Sequence, residues 1–419
     1  MCICCTKIEV PLACRVTLKR FLCFLPGLIT KSSVARRYAV QKRLRTQTIY
    51  EDVVKEFGYP IERHDITTAD GYILTYHRIP HGRNHSRGGS GQSRRVVLFS
   101  NGILLSSAAA LSSRDDLAYG LADADFDVWL GNYRGNMYSR RHTILDPDRD
   151  NLFWDFSLHE LGAMDLAASI DYILSVTGRQ TLLYTGASMG TTMFWVLGAT
   201  RPEYMEKVES MVAIAPVARP SNSFLVNNWA RYYVLHTGFT TLKALDYHEM
   251  FPYRQSVGPI VYFMCNTLWL KTMCSRLLNI FGLITGQDWD MKRLLEATKY
   301  GPAGISTKVV LHYLQIARAK KFQQYDYGTI ENQEYYRSTQ PPEYNLKNVT
   351  CKAIYFVYSD ADLIAAKKDV EWLSEQLPKK PKRILHNVNH LGHVDLALDK
   401  NVPQLLVKPL IEFMRNLPD

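Results

Sequence analysis

One stretch of this chain, Leu182–Thr200 or "LLYTGASMGTTMFWVLGAT", leaves less conformational choice than any other. An apolar run with the character of a buried strand ends at Gly186-Ala187, and a helix-like segment begins directly after Ser188, so no residues remain for a separate loop. The backbone must therefore reverse within Gly186–Gly190. Glycines two positions before and after the serine remove the Cβ atoms that so sharp a reversal would drive together. A Gly-x-Ser-x-Gly string alone arises by chance in a chain of 419 residues. Its setting, strand before and helix after, makes Ser188 a candidate nucleophile on a strained turn and not a serine in a flexible loop.

The surrounding pattern fits this reading. Segments 94–100, 127–135, 180–187 and 210–218 read as buried strands, and 159–176 and 188–200 as helices. Such alternation calls for a mostly parallel sheet with helices on both faces. Between about 219 and 335 the rhythm is lost in aromatic and large apolar stretches such as "FLVNNWARYYVL", which predicts an inserted helical cap. Strand character returns at 351–359, followed by a helix over 366–377 and a last strand at 382–388. The expected division is a leader over 1–47, the first part of an α/β core over 48–218, the cap over 219–335 and the rest of the core over 336–419.

A serine hydroxyl needs a histidine to take its proton and a carboxylate to orient and stabilise that imidazole. Asp360 and Asp362 follow the strand at 351–359, and His390 and His393 follow the strand at 382–388. Both pairs stand at carboxyl ends of strands, where open parallel sheets place their sites. Read singly, an aspartate there is a turn residue, and His390-Leu391-Gly392-His393 is a pair of surface imidazoles or half of a metal site. The order serine, acid, histidine favours catalysis. Two N–H donors must also face the developing oxyanion: the amide of Met189 at the helix start, and one from Asn101-Gly102-Ile103 after the first long strand. This chemistry calls for no metal and no organic cofactor.

Charge narrows the partners. The chain carries a net charge of +10, but ten of its Lys and Arg residues stand in the first 47 positions against a single acid, Glu9. The body is close to neutral and offers no basic stripe for nucleic acid. The same first segment holds Cys2, Cys4, Cys5, Cys14 and Cys23 and the apolar run Phe21–Ile29, too short to span a bilayer. It reads either as a signal-like leader or as a basic tail anchored by palmitoylation or left disordered. Elsewhere only Cys265, Cys274 and Cys351 occur, and the spacing of the first two matches neither a zinc site nor a Cys-x-x-Cys pair, so taken alone they read as buried thiols. Asn84 and Asn348 open glycosylation sequons.

Several stretches resemble the acid lipases of the gastric and lysosomal type: "GYPIERHDITTADGYILTYHRIP" (58–80), "DVWLGNYRGNMYSRRH" (127–142), "FWDFSLHELGAMDLAASIDYIL" (153–174), "AIAPVA" (213–218), "FQQYDYGTIEN" (322–332) and "PPEYNL" (341–346). The resemblance covers about residues 48–419. It implies an α/β-hydrolase fold with a helical cap, a Ser188, Asp362 and His393 triad, and Ile103 with Met189 as oxyanion donors. His393-Val394-Asp395-Leu396 matches the family's His-Leu-Asp-Phe and runs without a gap to "IEFM", which favours His393 over His390. The resemblance also implies a Cys265–Cys274 bridge in the cap, and hence an oxidising, secretory compartment. Two motifs depart from the family: Asn101-Gly102-Ile103 replaces His-Gly-Leu, and Ala187 and Met189 flank Ser188 in place of His and Gln. Backbone amides survive both changes. The resulting expectation is a serine lipase that cleaves neutral lipid esters through an acyl-enzyme, in contact with a lipid–water interface and with no required protein partner. The rival expectation is a lipid-binding protein that keeps the fold without turnover.

Overall fold

The chain divides into two units, Met1–Val53 and Val54–Asp419, and every element below belongs to the second. The computed structural model describes residues 51–83, 94–111, 113–253 and 299–418, with scattered positions between 263 and 297. The leader, Cys265 and Asn84 lie outside the described residues.

The strands are β1 (Glu62–Thr67), β2 (Ile73–Ile79), β3 (Val96–Ser100), β4 (Asp127–Gly131), β5 (Leu182–Ala187), β6 (Val208–Ile214), β7 (Glu249–Met250), β8 (Ile305–Ser306), β9 (Ala353–Tyr358) and β10 (Lys382–Asn387). Eight of them form one sheet in the order β1-β2-β4-β3-β5-β6-β9-β10. From β4 to β10 all pairs are parallel, and β1 and β2 add an antiparallel edge. The periodicity argument does not reach this edge. Strand β1, "ERHDIT", buries only Ile66 and so lacks an apolar signal.

Helices α1 (Leu117–Asp123), α2 (Leu158–Thr177), α3 (Met189–Thr200), α4 (Trp229–Ala244), α5 (Thr307–Ala319), α6 (Thr329–Tyr336), α7 (Lys367–Gln376), α8 (Asp395–Leu398) and α9 (Lys408–Arg415) complete the frame. Strand alternation sends neighbouring side chains to opposite faces of the sheet. Leu98, Trp129, Tyr184, Ala213 and Phe356 join one core cluster with residues of α2 and α3. Their neighbours Val97, Val128, Leu183, Val212 and Val357 are equally buried but outside that cluster, on the side where α1 packs on β4 and against α9. Sequential strands that are buried on both faces read as apolar runs, which is why they were legible.

The insertion is less uniform than a helical cap. Strands β7 and β8 pair antiparallel, and α5 contributes Val309 and Ile316 to the main core cluster, so part of the expected cap is integral to the core. Leu311 and Leu314, on another face of α5, form a smaller cluster with Tyr325 against α4.

Helix α2 is not regular either. A Ser157–Glu160 capping box starts it, Leu161–Leu166 forms a π-helical stretch, and Ala167–Thr177 continues as α-helix. The π-helical stretch carries Asp165, fully buried, into contact with Arg134 in the loop after β4. Arg134 donates to Asp165 through its backbone amide at 2.9 Å and through Nε at 2.7 Å, and it reaches Asp70 Oδ2 at 2.6 Å. Its guanidinium also lies 3.9 Å over the Tyr72 ring. Local widening of a helix is a recurrent way to redirect one side chain. This cluster fixes the loop that follows β4 to both α2 and the β1–β2 turn. Removing one member of a buried, hydrogen-bonded ion pair strands the other charge, so Arg134→Ala is expected to cost about 3–5 kcal/mol. Urea denaturation of the variant measures this loss.

Candidate active site

Ser188 stands between β5 and α3 with φ 51° and ψ −113°, a conformation that L-residues avoid. Holding it there costs about 1–3 kcal/mol, which the surrounding contacts must offset. The Ser188 amide donates to Ile214 O at 2.9 Å, and Ser188 O accepts from the Thr191 amide at 2.9 Å and from Thr191 Oγ1 at 2.6 Å. Tyr184 Oη secures the next turn by donating to Gly190 O at 2.7 Å. A Cβ on Gly186 would sit 2.7 Å from the Gly190 carbonyl carbon, and one on Gly190 would sit 2.2 Å from Ser100 O. Both glycines are therefore sterically required, as the motif implied.

Asp362 follows β9 and is 2% exposed. Its Oδ1 accepts the amides of Ile364 and Ala365, each at 2.8 Å, which leaves Oδ2 directed at His393 Nδ1, also 2.8 Å away. His393 Nε2 lies 2.9 Å from Ser188 Oγ. A carboxylate only accepts, so Nδ1 carries the proton and the Nε2 lone pair faces the serine hydroxyl. Burial pulls the His393 pKa down, but the Asp362 charge and its hydrogen bond outweigh burial and hold it above the ordinary value. The site thus favours the imidazolium that forms when serine gives up its proton.

The alternatives fall elsewhere. Asp360 faces Lys367 Nζ at 3.2 Å and accepts from Asn387 Nδ2 at 2.9 Å, and His390 is exposed with φ 74°. Among the described residues no group of His, Cys, Asp and Glu is arranged to hold a metal ion.

Two backbone segments flank the hydroxyl. Met189 supplies the first amide of α3, which as an N-terminal helical amide has no carbonyl partner within the helix. Gly102–Leu105 forms a tight turn closed by the Leu105 amide on Gly102 O at 3.3 Å, with Leu104 at φ 63°. A Cβ built on Gly102 would lie 3.3 Å from Ser188 Cβ, so this turn passes directly over the nucleophile. Ile103 is the second residue of this turn. Asn101, where the resembling family carries histidine, is 3% exposed and donates from Nδ2 to Gly131 O at 3.1 Å, tying the turn to the end of β4.

Sequence reasoning missed several supports. Asp395, fully buried, accepts the Gly392 amide at 2.8 Å and so orders the loop that presents His393; its place two residues after the histidine was the only signal. Thr192 Oγ1 donates to Val217 O at 2.7 Å and is 2.7 Å from Tyr313 Oη of α5, which joins the elbow to the insertion. Nothing in the sequence marks that contact. Cys274 is disulfide-bonded, whereas Cys351 is a buried free thiol.

With the fold and this geometry described, similarity to known proteins becomes interpretable. Residues 95–398 match the family described as alpha/beta hydrolase fold, and residues 50–113 match the partial alpha/beta-hydrolase lipase region. Lipase 1 of Drosophila melanogaster is 34% identical over 90% of this chain and 84% of its own length. Gastric triacylglycerol lipase of Homo sapiens is 32% identical over 86% of this chain and 89% of its own. A crystallised Sulfolobus solfataricus protein, 13% identical, superposes with a TM-score of 0.54 over 84% of this chain and 99% of its own, a likeness of fold alone. The sheet, the elbow and these relatives agree: the chain belongs to the acid lipase family of the gastric type, within the α/β-hydrolase fold, and is a carboxylic ester hydrolase.

Proposed function

We propose that Ser188, His393 and Asp362 form the catalytic triad of a lipase acting on neutral lipid esters such as triacylglycerols or sterol esters. The observation that carries this reading is the continuous relay of 2.9 Å and 2.8 Å from a strained Ser188 through His393 to Asp362. Ser188 Oγ attacks the ester carbonyl carbon while Nε2 takes its proton. The carbonyl oxygen becomes an oxyanion held by the Ile103 and Met189 amides. Collapse breaks the bond to the alcohol, which leaves with the proton from His393, and a water then repeats the sequence to release the fatty acid and regenerate the serine.

Three features support a lipid substrate. The relatives named above include a triacylglycerol lipase. Leu105 and Leu363, in the turn over Ser188 and next to Asp362, remain 36% and 38% exposed, so apolar surface borders the nucleophile. Helix α4 of the proposed cap, residues 219–335, turns an uncharged face outward. Trp229, Tyr233 and Val234 are 76%, 63% and 70% exposed, and Ala230, Thr237, Gly238 and Thr241 continue that face at helical spacing. The helix's cations are turned elsewhere, Arg231 over Phe224 and Lys243 over Tyr325. An apolar helical face of this kind suits contact with a lipid surface.

The same reading places the protein in the secretory pathway. The disulfide at Cys274 supports it, and Cys265 is the partner that the family resemblance implies. Of the two sequons, Asn348 is half-buried and donates from Nδ2 to Ala199 O at 3.1 Å, which leaves Asn84 as the better acceptor. Among the described residues no helix is long and apolar enough to cross a membrane.

Ser188→Ala and His393→Ala are expected to lower ester hydrolysis by about 10⁴-fold or more while melting like the parent, and His390→Ala is expected to keep most activity. Fluorophosphonate labelling should follow the same order, and a folded, active Ser188→Ala protein would refute the triad. Trp229→Glu combined with Val234→Glu is expected to slow hydrolysis of emulsified triacylglycerol about tenfold while sparing a soluble butyrate ester. Equal losses on both substrates would remove the interfacial role of α4.

A further inference from the structure

The turn that brings Ile103 over Ser188 is not self-supporting. Gly102–Leu105 is a four-residue turn whose third residue, Leu104, holds φ 63°. That position in a type II turn normally belongs to glycine or asparagine, whereas a leucine favours the type I turn with negative φ. Something outside the turn must hold the central peptide in its disfavoured orientation.

One group does so directly. Leu104 O accepts the Ala303 amide at 2.7 Å, and the Tyr133 hydroxyl donates to the carbonyl of the next residue, Gly304, at 3.3 Å. Ala303 O accepts the Met137 amide at 2.8 Å, so residues 303 and 304 are themselves clamped to the loop after β4. Tyr133 and Ala303 are 3% and 1% exposed, so these bonds face no competition from water. The neighbouring Arg134 is locked to Asp165 and Asp70, which fixes the backbone from which the Tyr133 ring projects.

We infer that Tyr133 is a positioning residue for the oxyanion hole: its hydroxyl anchors Gly304, and so the adjacent Ala303 amide that holds Leu104 O, keeping the strained 102–105 turn where the Ile103 amide faces the reacting carbonyl. This rests on the assignment of Ile103 as an oxyanion donor. It adds that the donor's aim is set by a phenol two elements away, together with the segment through which the chain returns from the insertion. Tyr133 touches no substrate. It acts because an oxyanion donor stabilises the transition state only if it is already oriented when charge develops.

A double-mutant cycle on p-nitrophenyl butyrate hydrolysis tests this, with thermal melts to establish that each variant is folded. Ile103→Pro deletes the amide proton at a turn position that accepts proline, and is expected to lower kcat about 10²- to 10³-fold. Tyr133→Phe removes one oxygen, and is expected to lower kcat about tenfold with KM within about twofold, the pattern of an interaction made only in the transition state. Combined, the two should be no slower than Ile103→Pro alone, because the phenol then has no donor left to aim. If Tyr133→Phe turns over at the parental rate while Ile103→Pro is slow, the positioning role is wrong and the oxyanion assignment stands. If Tyr133→Phe slows the Ile103→Pro background as much as it slows the parent, the phenol acts elsewhere and the inference fails. A parental rate for Ile103→Pro would overturn the donor assignment itself.

Discussion

The first turn of α3 is pressed onto the end of β3 so closely that only a hydrogen fits between Gly190 and the Ser100 carbonyl. The rest of the site depends on this contact. It allows the helix to start immediately after Ser188, which forces the serine into its unfavourable backbone conformation and directs Oγ out of the carboxyl edge of the sheet. The same approach brings the turn after β3 over Ser188, so that one steric requirement sets both the serine hydroxyl and the backbone proposed to receive the oxyanion. The strain is held by the sheet, through Ile214 O, and by the Thr191 hydroxyl and amide, and not by Ser188 itself.

Electrostatics complete what sterics begin. Asp362 is nearly inaccessible, yet its carboxylate accepts from two backbone amides and His393, so neither oxygen is buried without a donor. Burial alone would depress the histidine, but the adjacent carboxylate reverses that tendency. The result is an imidazole whose charged form is stabilised, which suits the proposed role of general base.

The insertion and the core are less separable than their sequence rhythms suggest. Val309 and Ile316 of α5 enter the main core, Tyr313 reaches Thr192 of α3, and Ala303 holds the turn over Ser188 through Leu104 O. Glu249, elsewhere in the insertion, is fixed by Arg140 Nη2 at 2.6 Å. A segment that holds the turn over Ser188 is mechanically part of the candidate site.

The sequence by itself determined the alternating core, the strand-turn-helix at Ser188, and the order serine, acid, histidine at strand ends. These are local patterns: apolar periodicity, glycine at fixed offsets from the serine, and turn residues at carboxyl ends of strands. Counting along the family-like motif also favoured His393 over His390, and His393 Nε2 lies 2.9 Å from Ser188 Oγ. Only the tertiary structure decided the rest. The β1 edge is too polar to show periodicity, and the π-helical stretch of α2 carries Asp165, whose partner Arg134 lies on another element. Tyr133 looks like an ordinary loop residue in the sequence, and Asp395 and Asn101 stand there only as motif positions, because what they do is set by hydrogen bonds to backbone brought near by the fold. A contact between segments about 170 positions apart, such as Tyr133 with Gly304, leaves no local trace, since the energy that selects it comes from desolvation and packing that exist only once the chain has folded.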